Sequence, residues 1–526
     1  MKGLKNYQHS LPSLKNSVPP EAYGYIVSMY SVALEGWRRG LSLKFINKNT
    51  AAAHTYYSLS NGKVEHSFTV ARGDIVSNEA IKICIHKDLT KKYLEKKSIP
   101  IPRGKVFTND NTDQDILQYA SNDLGYPVVI KPVNGTGGHG VIANIRDERE
   151  FENALQYVKY ELNYSDIIVE KYFLGEDYRL YVIGNRVVGA FKKIPANVIG
   201  DGKSSIRELL RIKNQERNSI PAFNNRLIKV DKETNSLLEE KGYTLDTVPK
   251  AGEQVFLKTK NNVSSGGDPI DVTDLLTDEI KQIAIEACNA IPGLVQCGVD
   301  MIVDPSFKNG VVLEINSRPH ITSHLFPMQG KGRDIPKAII DYYFPETKGK
   351  ITEHASLLYF DFKSVVTAFR NGFAQEIRIP DLPTGEMNFT RYHLIAPKKE
   401  SFRKWVQRQA RKHNINGYVK LLKNGKTSVV VGGNINSINK LRELLDNHPQ
   451  INSIEEKSWN KPVKVGFELI EIEDIDKKPE EKPYLIKYQK LEKDYILLKK
   501  KYQSVINSTS WKTTRLLRSI GRIFKR

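Results

Sequence analysis

Apolar and polar positions along the chain alternate in a way that predicts a succession of short helices and strands. Residues 1–20 are polar and carry Pro12, Pro19 and Pro20, the composition of a loose arm. A helix is expected over 21–39, with strands at 43–46 and 55–59. From Ser77 a helical run leads to Lys97 and is broken by SIPIPRG, with its two prolines. The apolar run YPVVIKPV reads as a strand that opens into NGTGGHG and returns as VIANI. That loop is too long and too glycine-rich for tight turning alone. A helix is expected at 148–162, followed by the strands DIIVEKY, YRLYVIG and RVVGAFKKI, with LGED turning after the first. Residues 197–272 read as a charged, mixed insertion. CGVDMIVD and GVVLEIN, joined by PSFKNG, close the body, and a helix at 336–343 ends at FPETKGK. Such alternation predicts an α+β or α/β body.

The expected organisation is an N-terminal region 1–76, a main domain 77–350, a second domain 351–475 and a tail 476–526 that begins in the charged run EIEDIDKKPEEKP. Within the tail, Tyr484, Tyr488, Leu491, Tyr495, Leu498, Tyr502 and Val505 step by four and three, a heptad seam of about three repeats. It could pair two chains into a homo-oligomer or pack back on the body. Beyond it, Trp511, Leu516, Leu517, Ile520, Ile523 and Phe524 form an apolar stripe among Lys512, Arg515, Arg518, Arg522, Lys525 and Arg526. A basic amphipathic helix of this kind suits an anionic membrane surface; a solvated basic tail is the plainer alternative.

Charge changes the picture only in one place. Of the net +20, residues 481–526 supply +10, with 13 Lys/Arg against 3 Asp/Glu. The body is therefore mildly basic, and no nucleic-acid reading module accompanies the charge. No run of ~18 apolar residues suggests a membrane span, and the N-terminus lacks the apolar core of a signal peptide. Cys84, Cys288 and Cys297 have no metal-type spacing and read as core thiols of a reducing compartment. The expected location is cytoplasmic, with the tail able to reach the inner face of a membrane.

Two stretches carry chemistry. In VVIKPVNGTGGHGVI, Lys131 at a strand end offers a point charge, and the glycines let backbone N–H groups approach phosphate oxygens. GxxxxGK[ST] is absent, and a strand rather than a helix follows, so neither a Walker A loop nor a dinucleotide fingerprint is present. A glycine-rich surface hairpin is the alternative. In VDMIVD…GVVLEINSRP, Glu314 and Asn316 are two apart and share a strand face, and Asp300 can face them across the pair. Three hard oxygen donors, with phosphate oxygens added by a nucleotide, suit Mg²⁺; a polar strand face is the alternative.

Taken in order, SNEAIKICIHKDLTKKYLEKKSIPIP, YPVVIKPVNGTGGHGV, IVEKYFLGEDYRLYVIGNRVVGAFKKIPANVIGDG, NNVSSGGDPIDVTD, CGVDMIV and LEINSRP resemble the ATP-grasp superfamily over residues 77–345. The resemblance is closest to the ATP-grasp domain of cyanophycin synthetases and of glutathione-forming ligases. It implies ATP as cosubstrate and one or two Mg²⁺ (or Mn²⁺) ions on Asp300, Glu314 and Asn316. It implies that Lys87 and Lys131 contact phosphates, and that the loop containing Gly135, Gly137, Gly138 and Gly140 folds over them. Glu170 and the backbone of Lys171 and Tyr172 would read adenine, and Asp177 the ribose. Arg179 and Lys192 would face the transferred phosphate, with Asn262 near the γ-phosphate. Where related ligases carry an AAPGLRMH-like run after the metal-binding asparagine, this chain has SRPHITSH. Arg318 and His320 therefore add charge and bulk beside the acceptor region, and Arg318 joins the expected catalytic set.

Further on, SFRKWVQRQARKHNINGYVKLLKNGKTSVVVGG and INKLRELLDNHPQINSIEE resemble the acylphosphatase fold, a ferredoxin-like βαββαβ sandwich, over about 388–470. Arg403 matches that family's arginine. The preceding loop, IAPKKESF, lacks its glycines, and the position of its asparagine holds Leu421. An inactive structural or binding module is expected. The resulting expectation is an ADP-forming ligase of the acid–amino-acid type that joins a small-molecule or polymer-linked carboxylate to an amine through an acyl phosphate, with bacterial cell-envelope polymer or peptide synthesis as its setting. The alternatives are an acylphosphatase-type hydrolase and a membrane-associated ATP-binding assembly protein.

Overall fold

A computed structural model describes residues 10–47, 55–134, 140–383 and 385–470. Gly135, Gly137 and Gly138 and the whole tail, with its heptad seam and basic stripe, lie outside these residues. Among the described residues no helix is long and apolar enough to cross a membrane.

The site is built on two sheets that face each other. The larger is a five-stranded antiparallel sheet in the order Asp268–Asp271, Arg186–Ile194, Glu176–Ile183, Gln296–Val303, Gly310–Asn316. One face packs on the helix Asp278–Asn289 through Ile280, Ala284, Ala287 and Cys288, all buried with Leu180, Val182, Val299 and Met301. The other face carries the polar alternates of the same strands, as a period of two requires. The smaller sheet orders Gly104–Phe107, Ile167–Lys171, Val128–Pro132 and Ile142–Ile145 over its own core of Ile130, Phe151, Leu155 and Val169. In the hairpin between its last two strands, Gly140 has φ +75°. A Cβ there would meet Pro132 Cγ at 2.7 Å, so only glycine lets the loop return this closely.

The arm expected to be loose is anchored over its described part. Leu11 and Leu14 are buried, and the Leu11 amide donates to Leu325 O at 2.9 Å. The first α-helix is Ile26–Arg38, after short 3-10 turns at Pro12–Leu14 and Pro20–Ala22, and the run from Ser77 divides at His86 into Asn78–Ile85 and Lys87–Lys96. Residues 358–379 return to the N-terminal region instead of opening the second domain. Glu376–Arg378 pairs with Ser42–Asn47, Trp37 Nε1 donates to Pro380 O, and Phe360 and Phe362 pack against Tyr30 and Phe45. Apolar spacing alone could not show which core these phenylalanines join.

The second domain is a compact sheet ordered Ser453–Ser458, Met387–Ile395, Thr427–Asn434, Asn416–Leu421, Phe467–Ile470, covered by the helices Glu400–Lys412 and Ile435–Asp446. That is the ferredoxin-like βαββαβ arrangement with an added parallel edge strand. The fold class is α+β throughout.

Candidate active site

A cleft of about 1000 Å³ opens between the two sheets. Its walls bring together Lys131, Glu170, Lys171, Tyr172, Asp177, Arg179, Asn262, Asp300, Glu314 and Asn316, which the sequence scatters over 186 positions. Lys131 and Glu170 lie on adjacent antiparallel strands, and Lys131 Nζ sits 2.5 Å from Glu170 Oε2. Lys171 Nζ donates to Gly125 O and Tyr126 O, while the Lys171 and Tyr172 amides donate to Arg103 O and Pro127 O. Those two N–H groups are thus spent within the protein, which narrows the part they were expected to take in reading a base.

On the facing sheet, three strands in register set Arg179 opposite Asp300 and Asp300 opposite Glu314. Arg179 donates from Nε and Nη2 to the two Asp300 oxygens at 2.7 and 2.5 Å. Lys193 completes the cluster, 2.8 Å from Asp177 Oδ1 and 3.0 Å from Asp300 Oδ1. Burial pushes the Asp300 carboxyl up, but the Arg179 and Lys193 cations override it and hold it well below the usual range. Burial lowers Lys193, and the Asp300 and Asp177 carboxylates more than restore it, so it stays charged. For Asp177 burial wins and the pKa is raised.

Lys192 is the clearest departure from expectation. Neighbouring residues on a strand point to opposite faces, and it is Phe191 and Lys193 that line the cleft. Lys192 turns away and lies 2.5 Å from Glu176. Two adjacent lysines gave no sequence signal for choosing between them. Arg318 is exposed and stands outside the cleft wall, whereas His320 is part of it. Nor does His320 add charge at neutral pH, because burial, then Arg226, Arg318 and Arg179, lower its pKa to about 4. Lys87 borders a small cavity that shares Lys131, Glu170 and Glu314 with the cleft. Asn262 caps the turn Val263–Ser265, its Oδ1 accepting from the Ser264 amide at 2.9 Å. Tyr25, Arg226, Lys260 and Thr322 also line the cleft; no local motif marks any of them.

The donor set fits a hard cation that takes part of its shell from phosphate. Among the described residues no group of three or more His, Cys, Asp or Glu side chains converges as a self-sufficient metal site. Two carboxylates and one amide oxygen supply an incomplete oxygen set, and Glu314 and Asn316 have no side-chain hydrogen bond or ion pair to another described residue. Mg²⁺, which keeps water and phosphate in its shell, tolerates that incompleteness.

In the second domain Arg403 is buried near the start of its helix, and its Nη1 donates to Lys398 O at 2.8 Å. Leu421 ends a strand, where an apolar side chain offers nothing to orient water.

Residues 84–322 match the family model of the ATP-grasp domain, and residues 399–469 that of acylphosphatase. The chain therefore carries an ATP-grasp domain followed by an acylphosphatase-like domain. It is 32% identical over 303 residues to a cyanophycin synthetase of Trichormus variabilis, covering 56% of this chain and 32% of that protein. It is 30% identical over 329 residues to the glutathione biosynthesis bifunctional protein GshAB of Clostridium perfringens, covering 60% and 41%. A bifunctional glutathione synthetase from Pasteurella multocida, of known structure, aligns at 28% identity and a TM-score of 0.46 over 55% of this chain and 41% of that one. The chain thus spans only 32% to 41% of the length of these curated relatives.

Proposed function

We propose that the protein is an ATP-dependent carboxylate–amine ligase that forms an amide through an acyl phosphate. The observation that carries this reading is the cleft itself. One wall holds the Lys131–Glu170 pair, and the other holds Arg179, Lys193, Asp300, Glu314 and Asn316. Similarity to cyanophycin synthetases and GshAB proteins supports it.

Phosphoryl transfer needs positioning and fixed positive charge more than a protein nucleophile. Lys131 would hold nucleotide phosphates, with Asn262 and Lys260 on the loop that borders the same cleft. Asp300, Glu314 and Asn316 would hold Mg²⁺, which neutralises charge on the phosphates when bound. Arg179 and Lys193 would steady the carboxylate and the phosphoryl group as a carboxylate oxygen attacks the γ-phosphorus and ADP departs. The amine lone pair then attacks the acyl carbon. The C–O bond to phosphate breaks, inorganic phosphate leaves with that electron pair, and the amine proton passes to it.

The test is Mg²⁺-dependent ADP release by the full-length protein, screened against amino acids and uronic acids with hydroxylamine present. Hydroxylamine captures an acyl phosphate as a hydroxamate. ADP and hydroxamate formed together, and lost in Lys131→Ala and Glu314→Ala, are the expected result. ATP binding without ADP release from any acid would count against the ligase reading, and absence of ATP binding would end it.

A further inference from the structure

A second cavity, of about 640 Å³, opens at the far end of the large sheet and has no part in the chemistry above. One wall is the turn 184–185, which joins the strands Glu176–Ile183 and Arg186–Ile194. The cleft residues Asp177 and Lys193 stand at the opposite ends of these two strands. At about 3.3 Å per strand residue, roughly 20 Å separates Asp177 from Ile183. The remaining walls are the end of the helix Asp278–Asn289 with the loop 291–295, the helix Ile335–Tyr343, and Lys348.

Two cations from separate elements line this cavity. Arg186 begins its strand, and Lys348 follows the turn Pro345–Thr347. Both are exposed, so their charged ends are open to a ligand. Neither side chain has a hydrogen bond or ion pair to another described residue, and no described Asp or Glu lines the cavity. Like charges around a concavity without a counter-ion repel one another, and an anion between them relieves that repulsion.

Neutral donors stand beside the cations. Asn289 Nδ2 donates to Asn185 Oδ1 at 3.1 Å, which leaves the Asn185 amide N–H groups unused. Tyr342 is 39% exposed, and its hydroxyl has no partner among the described residues. Gly184, at φ +54°, keeps the turn clear of that ring, since a Cβ there would come to 3.3 Å from Tyr342 Cε2. A guanidinium fork takes two oxygens of a phosphate or carboxylate, an ammonium adds a point charge, and amide and phenol hydrogens fill the remaining directions. The volume falls within the range of roughly 300–1,000 Å³ typical of small-molecule sites.

We propose that this cavity binds a small ligand carrying two or more negative charges, held by Arg186 and Lys348 with Asn185 and Tyr342 as neutral donors. The site is separate from the nucleotide cleft, and the inference stands independently of the ligase reading.

The test reads Lys348 directly. Full-length protein is acetylated with a limiting amount of acetyl N-hydroxysuccinimide ester at constant ionic strength. Peptide mass spectrometry then follows Lys348 against Lys350, which does not line the cavity. Pyrophosphate and citrate are the probes, one presenting phosphate oxygens and the other carboxylates. The expected result is that at least one of them slows acetylation of Lys348 about tenfold while leaving Lys350 within about twofold. Protection by pyrophosphate alone assigns a phosphorylated ligand, by citrate alone a polycarboxylate, and by both a polyanion of either kind. Arg186→Gln should raise the half-protecting concentration about tenfold. Arg186→Lys should fall between, and serves if Arg186→Gln does not fold. The proposal is overturned if neither probe protects Lys348, if Lys348 and Lys350 are protected alike, or if folded Arg186→Gln keeps the wild-type half-protecting concentration.

Discussion

Asp300 receives Nε and Nη2 of Arg179 side-on, at 2.7 and 2.5 Å, across two neighbouring antiparallel strands. The same carboxylate is a proposed metal ligand, so one side chain would serve both as anchor for two buried cations and as an oxygen donor. Asp300→Asn keeps the shape and removes the charge. Arg179 and Lys193 would then be under-compensated in a buried cluster. A stability loss of about 3 kcal/mol is expected, read by urea unfolding, together with at least a tenfold weaker Mg²⁺ dependence of ADP release.

The two adjacent lysines make a sharp comparison. Lys193→Met removes a cation from the cleft and should lower ADP formation about 100-fold. Lys192→Met breaks only a partly exposed pair with Glu176 and should stay within about twofold. Steady-state rates at saturating ATP decide between them, and equal losses would place the catalytic charge on the wrong strand face.

His324 is 2% exposed, neither ring nitrogen has a hydrogen-bond partner, and burial together with Arg179 lowers its pKa to about 3. The unfolded chain gains a proton on this group below about pH 6.5 while the folded protein does not, so stability falls as pH drops from that value toward 3. His324→Leu should remove about 2 kcal/mol of the stability difference between pH 7 and pH 5. Unfolding free energies of wild type and variant at the two pH values measure it.

Arg217 holds the backbone of Arg226, the Gly267 carbonyl and Asp268 at once. Arg217→Met leaves Asp268 to Lys213 and Asn197 alone. A loss of about 3–5 kcal/mol is expected for opening such a buried network, and proteolysis of the 197–272 insertion should quicken accordingly.

In the acylphosphatase-like domain, Arg403 donates to Lys398 O in its own loop, and Leu421 ends the strand at the position where the resemblance expects an orienting amide. The full-length protein should hydrolyse benzoyl phosphate no faster than its Arg403→Ala variant. A clear difference between them would restore the hydrolase reading.

Much of the site was legible because its parts are local. Lys131 precedes a glycine-rich loop, and Glu314 and Asn316 share a face through the two-residue strand period, so sequence order alone groups them. Lys192 and Lys193 mark where that legibility ends. The period fixes that adjacent residues oppose each other, but not which of the two faces the cleft. The same is true of the 358–379 segment, which chain order assigns to the second domain and the structure returns to the N-terminal region.

The sequence by itself determined the α+β class, the glycine-rich hairpin, the paired strands with their oxygen donors and the ferredoxin-like second domain, since each is written in spacings of two, three or four residues that the backbone geometry fixes. Only the tertiary structure decided that Lys193 joins Asp300, that 376–378 completes the N-terminal sheet, and that Tyr25, Arg226 and His320 meet at the cleft. Those meetings depend on how separate sheets and an insertion pack against one another, and packing between residues hundreds of positions apart leaves no period in the chain to read.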